Sequence, residues 1–211
     1  MINSNDPMFA LIADDDPQTI DRLHDQLAAA ADADRLLDVA YRTVDSPVGT
    51  LLLAATEQGL VRVAYEIENH DQVLQALSER VSPRILRAPR RLDHVARQLA
   101  EYFAGDRRDF VLPLDFQLAH GFRRDVLSHL VLIDYGHTET YSQVAASTGH
   151  PRAVRAVGSA CATNPMPVIV PCHRVLRSDG KLGGYVGGPQ TKATLLSLEA
   201  RGRIDTDPLS R

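Results

Sequence analysis

The chain has 211 residues, 44% hydrophobic and 24% charged, which suits one large globular domain or two small ones with a real core. No apolar run approaches the roughly 20 residues of a membrane helix, no basic-then-apolar leader is visible, and two cysteines, Cys161 and Cys172, are too few for a disulfide framework, as expected of a cytoplasmic protein. The net charge of −4 hides an asymmetry: residues 1–40 carry nine Asp against two Arg, whereas residues 120–203 carry ten Lys or Arg against five Asp or Glu. A basic C-terminal half points to a polyanion partner, or to nothing beyond uneven surface charge.

In chain order, residues 1–38 read as an acidic, partly helical extension without visible chemistry. Ile20, Leu23 and Leu27 predict an amphipathic helix from Gln18 to about Ala31. A first domain, 39–118, opens with YRTVDSPVGTLLLAATEQGLVRVAYEI, whose alternation and Gly-containing turns predict a hairpin or meander. Two helical patterns follow: DQVLQALSERV, with Val73, Leu74, Leu77 and Val81, and RRLDHVARQLAEYFAG, with Leu92, Val95, Leu99 and Phe103, ending near Gly105. This domain shows no nucleophile constellation and reads as a scaffold. FVLPLDFQL then crosses into a second domain, 119–203, with 204–211 as a tail.

The second domain begins with GFRRDVLSHLVLIDYG, expected to be helical throughout, with Phe122, Val126, Leu130 and Ile133 on one stripe. TYSQVAASTGHPRAVRAVGSACATNP reads as helix, Gly turn, helix: Thr140 or Ser142 caps the first, Gly149 makes the turn, and Pro151 starts the second. That is a helix-turn-helix pattern. Its second helix carries Arg152 and Arg155 among Ala153, Ala156, Gly158, Ser159, Ala160 and Ala162, with no Asn, Gln or Lys to read base edges. Small side chains suit close approach to a narrow groove and its phosphates. They suit a tightly packed internal helix equally well.

The chemistry concentrates in PVIVPCHRVL, where four apolar residues read as a buried strand running into Pro171, Cys172 and His173. Zinc needs about four N or S ligands, which two cysteines outside a CxxC pattern do not supply. An inert core thiol and a nucleophile remain open. In KATLLSLEARG, Lys192, Leu195, Leu196 and Glu199 share one helical face, so Glu199 turns toward a core and needs a partner. His173 is the natural one, giving a Cys–His–Glu arrangement in which a base activates a thiol and a carboxylate orients the base. A thiol with a pKa of roughly 8.5 needs such help at neutral pH. The intervening SDGKLGGYVGG lacks a Walker-type ending.

TYSQVA, RAVGSA, NP, PCHRV, GGYVGG and LLSLE, in this order from Tyr141 to Glu199, resemble the O6-alkylguanine-DNA alkyltransferases, the methylated-DNA–protein-cysteine methyltransferases. DSPVGTLLLAAT and EYFAG extend the resemblance back to residue 39. It implies an α/β ribonuclease-H-like domain, then a mostly α-helical winged-helix-like domain with the helix-turn-helix. The implied partner is double-stranded DNA entered from the minor groove, with single-stranded DNA also accepted and the target nucleotide flipped out. The protein is expected to act as a monomer, without membrane, metal or cofactor.

The resemblance makes Cys172 the alkyl acceptor, His173 its water-linked partner, Glu199 the carboxylate behind it, and Asn164 the brace of the active-site turn. Tyr141 assists the leaving base, and Arg155 fills the vacated stack. Ser142, Arg123, His150, Ala153, Ala156 and Ser178 are further DNA contacts. Tyr185, Val186, Val175, Ser178 and Pro167 line the base pocket. The implied reaction is one irreversible transfer from O6-alkylguanine, with O4-alkylthymine as a second substrate. A non-catalytic lesion-binding or regulatory protein is the alternative.

Overall fold

The computed structural model describes residues 17–204. Helix α1 (Pro17–Ala33) precedes strands β1 (Val39–Val44), β2 (Leu51–Thr56) and β3 (Gly59–Tyr65), then α2 (His70–Arg80), β4 (Ile85–Arg87) and α3 (Asp93–Ala104). The second half holds α4 (Phe122–Leu130), β5 (Glu139–Thr140), α5 (Tyr141–Ser147), α6 (Val154–Ala162), β6 (Val175–Leu176) and α7 (Gly188–Ile204).

The expected meander forms: β1, β2 and β3 pair antiparallel, and β4 adds in parallel to β1, giving the order β3-β2-β1-β4. The period-2 alternation divides the sheet's side chains between two cores. Val39, Leu52, Ala54, Val61 and Ala64 pack against Val73 and Leu77 of α2. Leu51, Leu53, Leu60, Val63 and Tyr65 face the other way, onto Leu92, Val95, Leu99 and Tyr102. This second core runs on into Val126, Leu127, Leu130, Val144, Val157 and Leu195, so one apolar mass spans both halves. Each fully buried Leu or Val contributes about 1.5–3 kcal/mol relative to exposure, and the shared core makes the halves one rigid support. The outer edge of β3 is covered too: the Leu60 amide donates to Pro113 O (2.9 Å) and the Val63 amide to Pro165 O (2.8 Å).

Several expectations need correction. In α1, Ile20, Leu23 and Leu27 lie exposed, while Ala28 and Ala31 face the core. Alanines allow a close approach to the 88–91 segment, and Asp25 and Asp32 pair there with Arg90 and Arg91. Helix α4 stops at Leu130, well before Gly136, yet Ile133 is still buried. Pro151 lies in the turn before α6, whose N-cap is Ala153. Thr140, not Ser142, caps α5, in a capping box with Gln143.

Candidate active site and nucleic-acid interface

The run Pro167–Val170 is buried as expected, but it is a turn and not a strand. Val168 adopts φ +73°, a conformation costly for a β-branched residue and held only because its surroundings over-determine it. Asn164 is the staple. Its amide nitrogen donates to Val170 O (2.8 Å) and to Cys172 Sγ (3.1 Å), and its amide oxygen accepts from the Met166 amide (3.0 Å). Cys172–Arg174 then form a single 3-10 turn that places three consecutive buried side chains.

Cys172 is 1% exposed. Burial pushes its thiol up to about 11, against the opposing pull of the Asn164 bond and the Lys192 charge. The resting group is therefore a thiol and not a standing thiolate, and reaction requires a base. His173 is fully buried, which pushes its imidazole below the usual value despite the pull of Glu199. Its Nε2 lies 2.8 Å from Glu199 Oε1. For Glu199, burial acts upward, but the His173 bond and the Arg174 guanidinium outweigh it and hold the carboxyl at about 2. An ionised carboxylate only accepts, so Nε2 carries the proton and the lone pair sits on Nδ1. That Nδ1 is buried with no hydrogen-bond partner among the described residues.

Glu199 is a hub. Arg174 donates to it through Nε (3.0 Å to Oε2) and through its Nη2 nitrogen (3.0 Å to Oε1), and a further Arg174 nitrogen donates to Ile133 O. The Gly136 amide donates to Oε2 (3.1 Å), and the Tyr102 hydroxyl to Oε1 (2.7 Å). Lys192, also fully buried, donates to Val175 O (2.6 Å). Leu195 shares the buried face of α7 with Lys192 and Glu199, whereas Leu196 is half-buried.

The first half is more than the expected scaffold. Besides Tyr102, Tyr65 at the end of β3 meets the Tyr185 hydroxyl at 2.8 Å, and Tyr185 sets its ring edge-on to His173. A Cβ on Gly187 would lie 2.7 Å from the Tyr65 ring, and one on Gly183 2.7 Å from the Tyr141 hydroxyl, so this glycine-rich loop packs backbone against both tyrosines. Tyr102, Tyr65, Arg174 and Lys192 are given no role by the sequence reading. Arg174 stands inside PCHRV and Lys192 lies seven residues before Glu199, so both were findable; Tyr102 is masked by the neighbouring apolar Phe103.

Helix α6 turns Val157, Ala160 and Cys161 inward and leaves Arg155, Ala156, Ser159 and Ala162 exposed, and Arg152 is exposed in the turn before it, outside the helix where the sequence placed it. The internal-helix reading is therefore set aside: the small residues form a flat outer face with Arg155 on it. Ser142, His150 and Ser178 are exposed, and Ala153 is half-buried. His150 meets the Phe122 ring edge-on. Pro167 and Val175 are buried. Arg123 donates to Thr163 O and, with Arg62, Arg80, Asn164 and Val186, lines a cleft of about 440 Å³ between the halves. Among the described residues no three His, Cys, Asp or Glu are grouped to hold a metal ion, and no helix is long and apolar enough to cross a membrane.

A buried thiol with a stapled turn, a neutral histidine and a carboxylate hub, behind an exposed helix-turn-helix, defines a nucleic-acid-directed protein with a cysteine acceptor. Residues 39–116 match the family described as 6-O-methylguanine DNA methyltransferase, ribonuclease-like domain, and residues 121–201 match its DNA binding domain. A methylated-DNA–protein-cysteine methyltransferase of Mycolicibacterium paratuberculosis is 39% identical over 77% of this chain and 93% of its own length. The constitutive one of Bacillus subtilis is 37% identical over 75% and 94%. The crystal structure of Mycobacterium tuberculosis O6-methylguanine methyltransferase superposes with a TM-score of 0.67 at 37% identity, covering 77% of this chain and 93% of that one. The crystal structure of Mycobacterium tuberculosis OGT in complex with DNA gives 0.65, at 37% identity over 77% and 94%. This chain belongs to the methylated-DNA–protein-cysteine methyltransferase family.

Proposed function

We propose that this protein repairs DNA by direct reversal, moving the alkyl group of O6-alkylguanine, or of O4-alkylthymine, irreversibly onto Cys172. The observation that carries the reading is the Cys172 thiol held by Asn164 beside a neutral His173 that Glu199 keeps in one tautomer. The thiol proton passes to His173 Nδ1 through one water. Sγ then attacks the alkyl carbon in line, a C–S bond forms, the C–O6 bond breaks, and its electron pair stays on guanine. The half-buried Tyr141 phenol, pushed up to about 12 chiefly by burial, keeps its proton at neutral pH and is a donor to the leaving base. The thioether has no group beside it to hydrolyse it, so each chain reacts once.

The exposed Arg155, on a helix face of small residues, supports entry from the minor groove with Arg155 in the place of the flipped nucleotide. Ser142, His150, Ala153, Ala156 and Ser178 are assigned to the rim of that surface, and Arg123 to its edge. Tyr185, Val186, Val175, Ser178 and Pro167 are assigned to the base pocket. Single-stranded DNA is taken as a second partner, and the protein as a cytoplasmic monomer. The functional division is an extension to residue 38, a first domain to 118, a DNA-binding and acceptor domain to 203, and a tail.

An oligonucleotide carrying radiolabelled O6-methylguanine tests this. Label transfers to protein, at most one per chain, and Cys172→Ser abolishes transfer. Multiple turnovers would sink the single-use mechanism. Tight lesion binding without transfer would favour a non-catalytic lesion-binding protein.

A further inference from the structure

We infer that Tyr102, a residue of the first domain, is a positioning residue that sets the proton affinity of the His173 base through the carboxylate they share. The inference rests on the assignment of His173 as the base that takes the Cys172 proton. Tyr102 is fully buried, and its hydroxyl reaches Glu199 Oε1 at 2.7 Å, the same oxygen that His173 Nε2 reaches at 2.8 Å. Arg174 Nη2 also reaches this oxygen (3.0 Å), so three donors compete for its charge. Burial, and then the Glu199 charge, push the Tyr102 phenol far above its ordinary range, so it stays a donor at every working pH.

The consequence has a definite sign. Removing the hydroxyl leaves Oε1 more charge to offer Nε2–H, which stabilises imidazolium over imidazole and raises the His173 pKa. More of the base is then already protonated in mildly acidic solution. The other groups facing this pair hold the effect local: Arg174, bound to both carboxylate oxygens, keeps Glu199 ionised, Lys192 and Arg174 disfavour imidazolium, and Tyr185 lies against His173 as a neutral group. Tyr135, near Tyr102 and Arg174, spends its hydroxyl on Leu198 O.

The test is the pH profile of single-turnover methyl transfer by the full chain, alongside ¹⁵N-histidine NMR of His173. In Tyr102→Phe the acid limb of the rate and the His173 titration both move up by about half to one pH unit, so that the rate at a fixed pH well down that limb falls about 3- to 10-fold. Fluorotyrosine at position 102 keeps the ring's shape, makes the hydroxyl a stronger donor, and moves both downward. A Tyr102 with only a packing role would lower the unfolding temperature in Tyr102→Phe and leave both midpoints in place; that result overturns the inference. A wild-type acid limb that does not coincide with the His173 titration overturns the base assignment instead.

Discussion

At the scale of single residues, the thiol's environment is a balance of opposed effects. Burial protects Cys172 from adventitious oxidants but makes its anion costly, and three features act against that cost: the Asn164 amide, the Lys192 ammonium and the His173 base. Lys192 is the least obvious. Its ammonium is fully buried and, among the described residues, neutralised by no carboxylate; it ends on the Val175 carbonyl instead. A buried cation so placed is expensive, and burial lowers its own pKa. What it returns is a positive potential where the thiolate forms. Replacing Lys192 by Met, of similar length and apolar, removes that potential while keeping the volume. The expected result is a protein at least as stable in urea, with methyl transfer slowed at least about 10-fold at pH 7.5 and partly recovered as pH rises. Unchanged transfer rates would show that the charge at position 192 serves packing alone.

At the scale of elements, helix α6 divides into a core face and a solvent face. Its inward face of Val157, Ala160 and Cys161 joins the shared core, and its outward face ends in solvent. Arg155→Ala therefore changes nothing buried and should alter stability by no more than about 0.5 kcal/mol. Repair of a duplex should nevertheless fall by at least about 10-fold, through the lost support for an extruded base, while reaction with free O6-benzylguanine stays near wild type. Equal losses on both substrates would remove Arg155 from the flipping role. Much of this element level was readable beforehand, because Thr140, Gly149 and Gly105 are local signals that need no tertiary contact. The PVIV run was misread for the opposite reason. Its four apolar side chains are buried as a strand's would be, but the backbone is bent by Asn164, Pro165 and Pro167, a constraint that residue hydrophobicity does not carry. The α1 stripe failed similarly, since the docked face was chosen by what fits closely against the 88–91 segment.

At the scale of the molecule, the site is a joint product of both halves. The Cys–His–Glu set was legible because Cys172 and His173 are adjacent and the spacing of Lys192, Leu195 and Glu199 turns Glu199 to the buried face of α7. Tyr102 and Tyr65 were not, since their partners are 97 and 120 residues away and only the fold brings them together. The same buried network makes stability depend on pH at both ends. On the acid side, the native His173 resists protonation that the unfolded chain accepts below its ordinary 6.5, and the native Glu199, held at about 2, resists protonation that the unfolded chain accepts below 4.5. The unfolded state binds more protons there, so stability falls on acidification, first below about pH 6.5 and more steeply below 4.5. On the alkaline side, native Cys172 and Cys161 hold their protons to about 11 and about 12, while the unfolded chain releases them from 9. The native state binds more protons there, so stability falls again as pH rises past 9, reinforced by the buried Tyr65, Tyr102 and Tyr185, whose phenols are also raised. Urea midpoints measured from pH 3 to 10.5 should show one cooperative transition, because the core is shared, with a plateau between about pH 6.5 and 9. Two separated transitions would contradict the shared core, and stability still rising above pH 9 would contradict the assignment of both cysteines as native thiols.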